Sequence, residues 1–267
     1  MNPHNRENGA AGNDLIPTRS QEMLLNLLTD PDVTSKLYEG AKRMMWSVVQ
    51  YNEMKMLYSC ALKEVQTKFE VLSTECSLRN NRNPISTITT RLKSTDSILD
   101  KLERNGWPIT LESMEENLSD IAGIRVICPY IDDIYTIADA FLRQDDITLI
   151  RKKDYIECPK PNGYRSLHLI ISVPVFLSET KKNMKVEVKI RTIAMDFWAS
   201  LEHQMKYKKD VPEASAIMEE LLRCADVIHS TDVRMLRIRE HIEAATDTPS
   251  EEDLLLEKIS RLDLSLK

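Results

Sequence analysis

Asp120 stands just before Ala122-Gly123 and the β-branched run Ile124–Cys128, which reads as a strand. Further on, Met184–Arg191 alternates cleanly, with Val186, Val188 and Ile190 on one face and Glu187, Lys189 and Arg191 on the other. If the two strands are neighbours, Asp120 and Glu187 form a carboxylate pair. Such a pair suits Mg2+ beside a nucleoside triphosphate, because Mg2+ takes few protein oxygens and fills its shell with phosphate and water. A charged row on a wet strand face is the competing explanation.

Two basic segments could supply the rest of a nucleotide site. Arg151-Lys152-Lys153-Asp154-Tyr155 through Lys160-Pro161-Asn162-Gly163-Tyr164-Arg165-Ser166-Leu167-His168 is a positively biased stretch in an acidic protein. It reads as a loop with lysines for phosphate and aromatic rings for a base, or simply as a solvated loop. His168 falls on the opposite strand face from Leu167 and Leu169, where a structural histidine is the default. Arg91-Leu92-Lys93-Ser94 precedes a helix that carries Lys101, and free amides at a helix start beside cations attract anions. Cations are also common at plain helix starts.

The elements that would position these groups follow from periodicity and turn chemistry. Residues 1–20 are polar and read as a disordered N-terminus. Residues 21–78 show helical spacing of apolar residues, interrupted near Asp30-Pro31, and form an N-terminal helical extension. Ser94 is the N-cap of a helix through Ile98, Leu99 and Leu102 that stops near Gly106-Trp107-Pro108. Helix is predicted over 132–142, 193–208, 213–246 and 250–265, and strand over 124–128, 147–150, 166–173 and 184–191. The layout is α+β: a mixed sheet of about five strands flanked by helices, with a core over 79–210 and C-terminal helices over 211–267. Ile217, Met218, Leu221, Leu222, Ala225 and Ile228 form an apolar stripe, for packing on the same subunit or on another.

Composition removes several classes. The 267 residues include only six glycines, placed so that neither a G-x-G-x-x-G fingerprint nor a P-loop can be written. No apolar run is long enough to span a bilayer, and the N-terminus lacks signal-peptide order. Five cysteines without a C-x-x-C pair suggest reduced thiols and a cytoplasmic protein. The net charge of −6 gives no strong nucleic-acid signal.

Taken together, Arg91-Leu92-Lys93-Ser94 with Ser97-Ile98, Asp120 through Arg125, Lys153 through Ile156, Pro159 through His168, and Glu187 through Thr192 resemble the synthetase domain of RelA/SpoT proteins. The run Ile193–His203 is similar to the small alarmone synthetases, closer to the RelP type than the RelQ type. The length leaves no room for the hydrolase and regulatory domains of the long enzymes. The resemblance implies a nucleotidyltransferase-like fold and transfer of pyrophosphate from ATP to the ribose 3′-OH of GTP or GDP, with Mg2+ as cofactor and a homotetramer as the assembly. It implies that Arg91 and Arg125 sandwich adenine and that Lys93 and Lys101, beside Ser94, hold ATP phosphates. Asp120 and Glu187 become the metal pair, with Glu187 also accepting the 3′-OH proton. Tyr164 stacks on guanine, and Lys153, Lys160, Asn162 and His168 surround the acceptor. Lys189 stands where many members carry glutamine and has no assigned role. Arg151-Lys152-Lys153-Asp154 fits the R-x-K-D variant, which in long members accompanies tolerance of GDP. A catalytically inactive nucleotide-sensing or RNA-binding module on the same scaffold would be marked by loss of an acidic ligand, and both are present. The family's hydrolase activity needs a His-Asp dipeptide, and none of the five histidines precedes an aspartate.

Overall fold

The computed structural model describes residues 31–79, 82–206 and 214–246. The expectations for 1–20 and for a helix over 250–265 lie outside the described residues. The described residues fall into two compact units, one up to Glu53 and one from Met54 onward. Helix α1 (Pro31–Arg79) begins at the proline that the sequence marks as a break, since proline suits a first helical turn. In the first unit, Tyr38, Met45, Trp46 and Val49 of this helix are exposed. In the second, Met54, Leu57, Tyr58, Ala61, Leu62, Val65, Phe69 and Leu72 recur at helical spacing and are buried.

The second unit is built on a five-stranded sheet in the order β1-β2-β5-β4-β3. The strands are β1 (Thr87–Leu92), β2 (Ala122–Cys128), β3 (Thr148–Asp154), β4 (Leu167–Phe176) and β5 (Lys181–Thr192). Only β2 and β5 pair in parallel. One face is apolar: Ile124, Val126, Leu169, Ile171, Val186, Val188 and Ile190 are buried. Helix α4 (Ile131–Leu142) is part of the same core, with Phe141 stacked on Phe69 at 4.3 Å between ring centroids.

Register builds the opposite face. Arg91, Gly123, Glu187, Ile170 and Arg151 pair in one row across all five strands. Thr89, Arg125, Lys189, His168 and Lys153 pair in the next. Charges spread over distant segments thus meet on one surface.

Two short elements were not foreseen. The edge strand β1 is threonine-rich and mostly exposed, so it lacks an apolar alternation. Helix α3 (Leu111–Asn117) starts at Thr110, whose hydroxyl accepts from the Ser113 amide at 3.2 Å. The stretch 151–154, read as loop, is the second half of β3. The register shifts between Leu149 and Arg151, a bulge that turns Arg151 and Lys153 to the charged face. Helix α2 (Thr95–Arg104) carries the expected Ser94 cap and is followed by Gly106 at φ 67°.

Helices α5 (Ile193–Lys206) and α6 (Ala214–Thr246) close the unit. Trp198, Ala199 and Ala225 form a small core with Tyr164, Leu221 and Ile228. Gly163, at φ 85°, lies against α6 so closely that a Cβ there would be 2.5 Å from the Ala225 Cβ. The predicted apolar stripe therefore divides: Leu221, Ala225 and Ile228 pack within the subunit, while Ile217, Met218 and Leu222 stay partly exposed.

Candidate active site

Two cavities open on the charged face. The first, of about 130 Å3, is lined by Arg91, Lys93, Arg125 and the backbone around Gly123. The second, of about 360 Å3, is lined by Lys101, Trp107, Arg151, Lys153, Tyr155, Lys160 and His168. Asp120, Glu187 and Lys189 line both. The two linings together carry eight lysines and arginines against two carboxylates, in a chain of net charge −6. Such a surface attracts polyphosphate.

Asp120 sits where the chain enters β2 and is held from both sides. Lys93 Nζ donates to Oδ2 at 2.7 Å and Lys101 Nζ to Oδ1 at 2.8 Å. Burial works against its ionisation, but the hydrogen bonds from Lys101 and Lys93 overcome this and keep the carboxyl below its usual range. Glu187 projects from the middle of β5. Its Oε2 is 2.8 Å from Lys189 Nζ, and its Oε1 is 3.6 Å from His168 Nδ1. The histidine contact is not an ion pair. Burial, then the charges of Lys189, Arg191, Lys160 and Lys153, push the His168 pKa down to about 3, so the ring is neutral near pH 7.

Arg191 Nη2 donates to the Tyr164 hydroxyl, which also shares a hydrogen bond with His168 Nε2, 2.7 Å away. Tyr155 packs edge-on against His168, with centroids 5.2 Å apart. Lys160 Nζ lies 4.8 Å from the ring centroids of both Tyr155 and Tyr164. Asp154 steadies the turn at Tyr155 by accepting from the amides of Ile156 and Glu157 at 2.9 and 3.2 Å.

Most of the anticipated residues meet here. Arg91, Lys93, Arg125, Asp120 and Glu187 share the first cavity. Lys101, Lys153, Lys160 and His168 share the second with the same two carboxylates, so Lys101 is separated from Arg91 and Arg125. Ser94 lines neither cavity: its hydroxyl caps α2, accepting from the Ser97 amide at 3.3 Å. Asn162 and Tyr164 also stand outside both linings. Asn162 Nδ2 donates to Glu202 Oε1 at 3.1 Å, and Tyr164 sits behind His168. The sequence gives Arg151 only a place in the R-x-K-D variant and Tyr155 only that of an aromatic ring in a basic loop, and the structure brings both to the second cavity. Their alternation with Lys153 would have signalled them had β3 been recognised as a strand. Asp196, which holds Arg125 and Arg191, had no signal beyond its place in a helix.

The donor set fits Mg2+. Among the described residues no group of three or more His, Cys, Asp and Glu is gathered for a metal. Two carboxylates facing shared space are what Mg2+ takes when phosphates complete its shell. Among the described residues no helix is long and apolar enough to cross a membrane.

Comparison with known proteins adds an independent line. Residues 90–211 match the family described as a region found in RelA / SpoT proteins. The chain is 45% identical over 194 residues to the GTP pyrophosphokinase YwaC of Bacillus subtilis, spanning 72% of this chain and 91% of the relative. It is 32% identical to GTP pyrophosphokinase YjbM of the same organism, over 73% of this chain and 92% of the relative. Among solved structures it resembles small alarmone synthetase 2 of Bacillus subtilis, with TM-score 0.65 and 43% identity, covering 72% of this chain and 99% of the other. It also resembles small alarmone synthetase 1 of that organism bound to its product pppGpp, with TM-score 0.66 and 33% identity, covering 73% and 98%.

Proposed function

The chain belongs to the RelA/SpoT family and is a GTP pyrophosphokinase of the small alarmone synthetase kind, and from that premise we propose how its two cavities divide the reaction. The enzyme transfers pyrophosphate from ATP to the ribose 3′-OH of GTP or GDP, making (p)ppGpp and releasing AMP. ATP enters the first cavity and the guanine nucleotide the second. The observation that carries this assignment is the shared wall: Asp120, Glu187 and Lys189 face both spaces.

Each group has a task that its position suits. Arg91 and Arg125 offer flat guanidinium faces to adenine. Lys93 and Lys101 meet at Asp120 and reach the donor phosphates from either side of the wall. Arg151, Lys153 and Lys160 neutralise the acceptor's phosphates. Tyr164 stacks on guanine, with Tyr155 beside it, while Asn162 orders the turn that presents the ring. Ser94 keeps the α2 amides directed at the donor side. Asp120 and Glu187 are the residues that would hold Mg2+, which when bound neutralises charge on the transferring pyrophosphate.

The 3′-oxygen attacks the β-phosphorus of ATP, its proton passes to Glu187, and the bridging oxygen leaves with AMP. Little covalent work falls to the protein. Rate comes from positioning two substrates and from fixed positive charge around the phosphates. Neutral His168, 3.6 Å from Glu187 Oε1, places no charge beside that carboxylate to compete for the proton.

Three further points belong to the same proposal. The protein acts in the cytoplasm, where its substrates are abundant. It is of the RelP type, on the strength of the run now seen as α5. It assembles as a homotetramer, supported by the exposed Met218, Val227, Met235, Ile238 and Ile242 along α6. Light scattering at micromolar concentration should give four times the chain mass, and a monomer would remove the assembly.

The activity is tested with labelled ATP, Mg2+ and GTP, GDP or GMP in turn, the products being separated by chromatography. AMP and a guanosine 3′-diphosphate product should appear in equal amounts. Formation of ADP, or no transfer to any acceptor, would overturn the assignment.

A further inference from the structure

Asp196, in the first turn of α5, lines neither cavity, yet it holds one arginine from each side of the reaction. Its Oδ1 accepts from Arg191 Nη1 at 2.9 Å and lies 3.1 Å from Arg125 Nη1, which donates to Oδ2 at 3.5 Å. Arg125 lines the first cavity. Arg191, whose side chain is only 6% exposed, donates through its other nitrogen to Tyr164 and lays its guanidinium 5.0 Å from that ring's centroid. Tyr164 in turn bonds His168, which lines the second cavity. A single carboxylate thus serves two cations, and the contacts that leave it end in different nucleotide sites.

We propose that Asp196 is a positioning residue that couples occupancy of the two cavities. Two guanidinium groups held by one carboxylate repel each other, so each is held less firmly than it would be alone. A nucleotide that draws Arg125 toward its base leaves the carboxylate to Arg191. Arg191 then bonds Asp196 more firmly and fixes Tyr164 and His168 for the second nucleotide. Coupling of this kind is reciprocal, so each nucleotide tightens the other by the same factor. The inference rests on the assignment of ATP to the first cavity and the guanine nucleotide to the second.

The test is a titration of the full chain with GDP, alone and in the presence of saturating α,β-methylene ATP, whose α–β bridge cannot be cleaved at oxygen. In the native protein the analogue should tighten GDP about five-fold, the low end of measured couplings. Asp196→Asn should reduce that factor to about one while melting like the native protein, and Asp196→Glu should restore it. Full coupling in folded Asp196→Asn overturns the proposal. Should that variant melt early, Arg191→Lys carries the same test, because it keeps the charge and loses the fork between Asp196 and Tyr164. Coupling lost in it supports the proposal and coupling kept overturns it. Arg125→Ala separates the two levels of argument: unchanged affinity for the ATP analogue would remove the cavity assignment itself, whatever Asp196 does.

Discussion

The first cavity is small and open, with Arg91 exposed on an edge strand and the Arg125 side chain 43% exposed. The second is larger and more varied: its His168 side chain is only 12% exposed, and Tyr155, Lys101, Arg151, Lys153 and Lys160 line the same space. The two cavities have only Asp120, Glu187 and Lys189 in common. The contrast separates the two problems a transferase must solve. On the proposed assignment, groups on the shared wall face the phosphates of both substrates and govern the chemistry. Groups found on one side govern which nucleotide binds there. A substitution on the wall should therefore lower turnover without choosing between substrates, whereas one on either flank should lower a single affinity.

The largest effect belongs to the wall. Glu187→Gln should lower kcat by about 10²–10⁴-fold, the range for losing a general base. Asp120→Asn should do comparable damage, because it removes charge from the metal pair while keeping bulk. Both proteins should melt normally, and substantial turnover by either would end that residue's assignment. Next comes the acceptor flank. Tyr164→Ala should cost about 1–3 kcal/mol of guanine-nucleotide affinity, about one to two decades, and leave the ATP analogue little changed in separate titrations. An equal loss for both nucleotides would erase the contrast. Parallel titration of Tyr155→Ala sharpens it: Tyr164 should give the larger loss, since its removal also frees His168 and Arg191.

A smaller effect is expected on the donor flank. Arg125→Ala removes a stacking cation worth about 0.5–2 kcal/mol, so ATP-analogue affinity should fall by up to about thirty-fold. The smallest effect is on stability. His168 has a folded-state pKa of about 3 against an ordinary 6.5. Between those values the unfolded chain binds a proton that the folded chain does not, so stability falls as pH falls below 6.5. The slope is at most about 1.4 kcal/mol per pH unit for one proton. His168→Gln should flatten the Tm profile between about pH 6.5 and 5, and an unchanged slope would mean the ring is not held neutral. Asp120 does not confuse this measurement. Its carboxyl is depressed by Lys101 and Lys93 despite burial, so its contribution is lost only at more acid pH.

Much of this architecture was legible in the chain because period and chemistry agreed. The alternation of 184–191 placed Glu187 and Lys189 on one face, and the Ser94 cap located α2 correctly. The charged face was harder to read where strands are exposed on both sides. In β3 nothing apolar alternates, and a bulge near Ile150 breaks the period, so Arg151 and Tyr155 could not be assigned to a surface. β1 failed for the same reason, although Arg91 itself was singled out for its chemistry. Partnerships over long sequence distances were not legible at all. Nothing local in Asp196 announces that it will hold Arg125, 71 positions earlier. The small core that ties Tyr164 to Trp198 and Ala225 likewise depends on α6 returning to the 162–164 turn.

The central claim is that two nucleotides occupy two cavities at once and meet at one wall. Calorimetric titration of GDP into the full chain saturated with α,β-methylene ATP tests this most directly. Two cavities predict one GDP per chain, bound at least as tightly as without the analogue, and one analogue per chain in the reverse order. Mutual displacement, with each nucleotide weakening in proportion to the other's concentration, would mean a single shared site and would contradict the account.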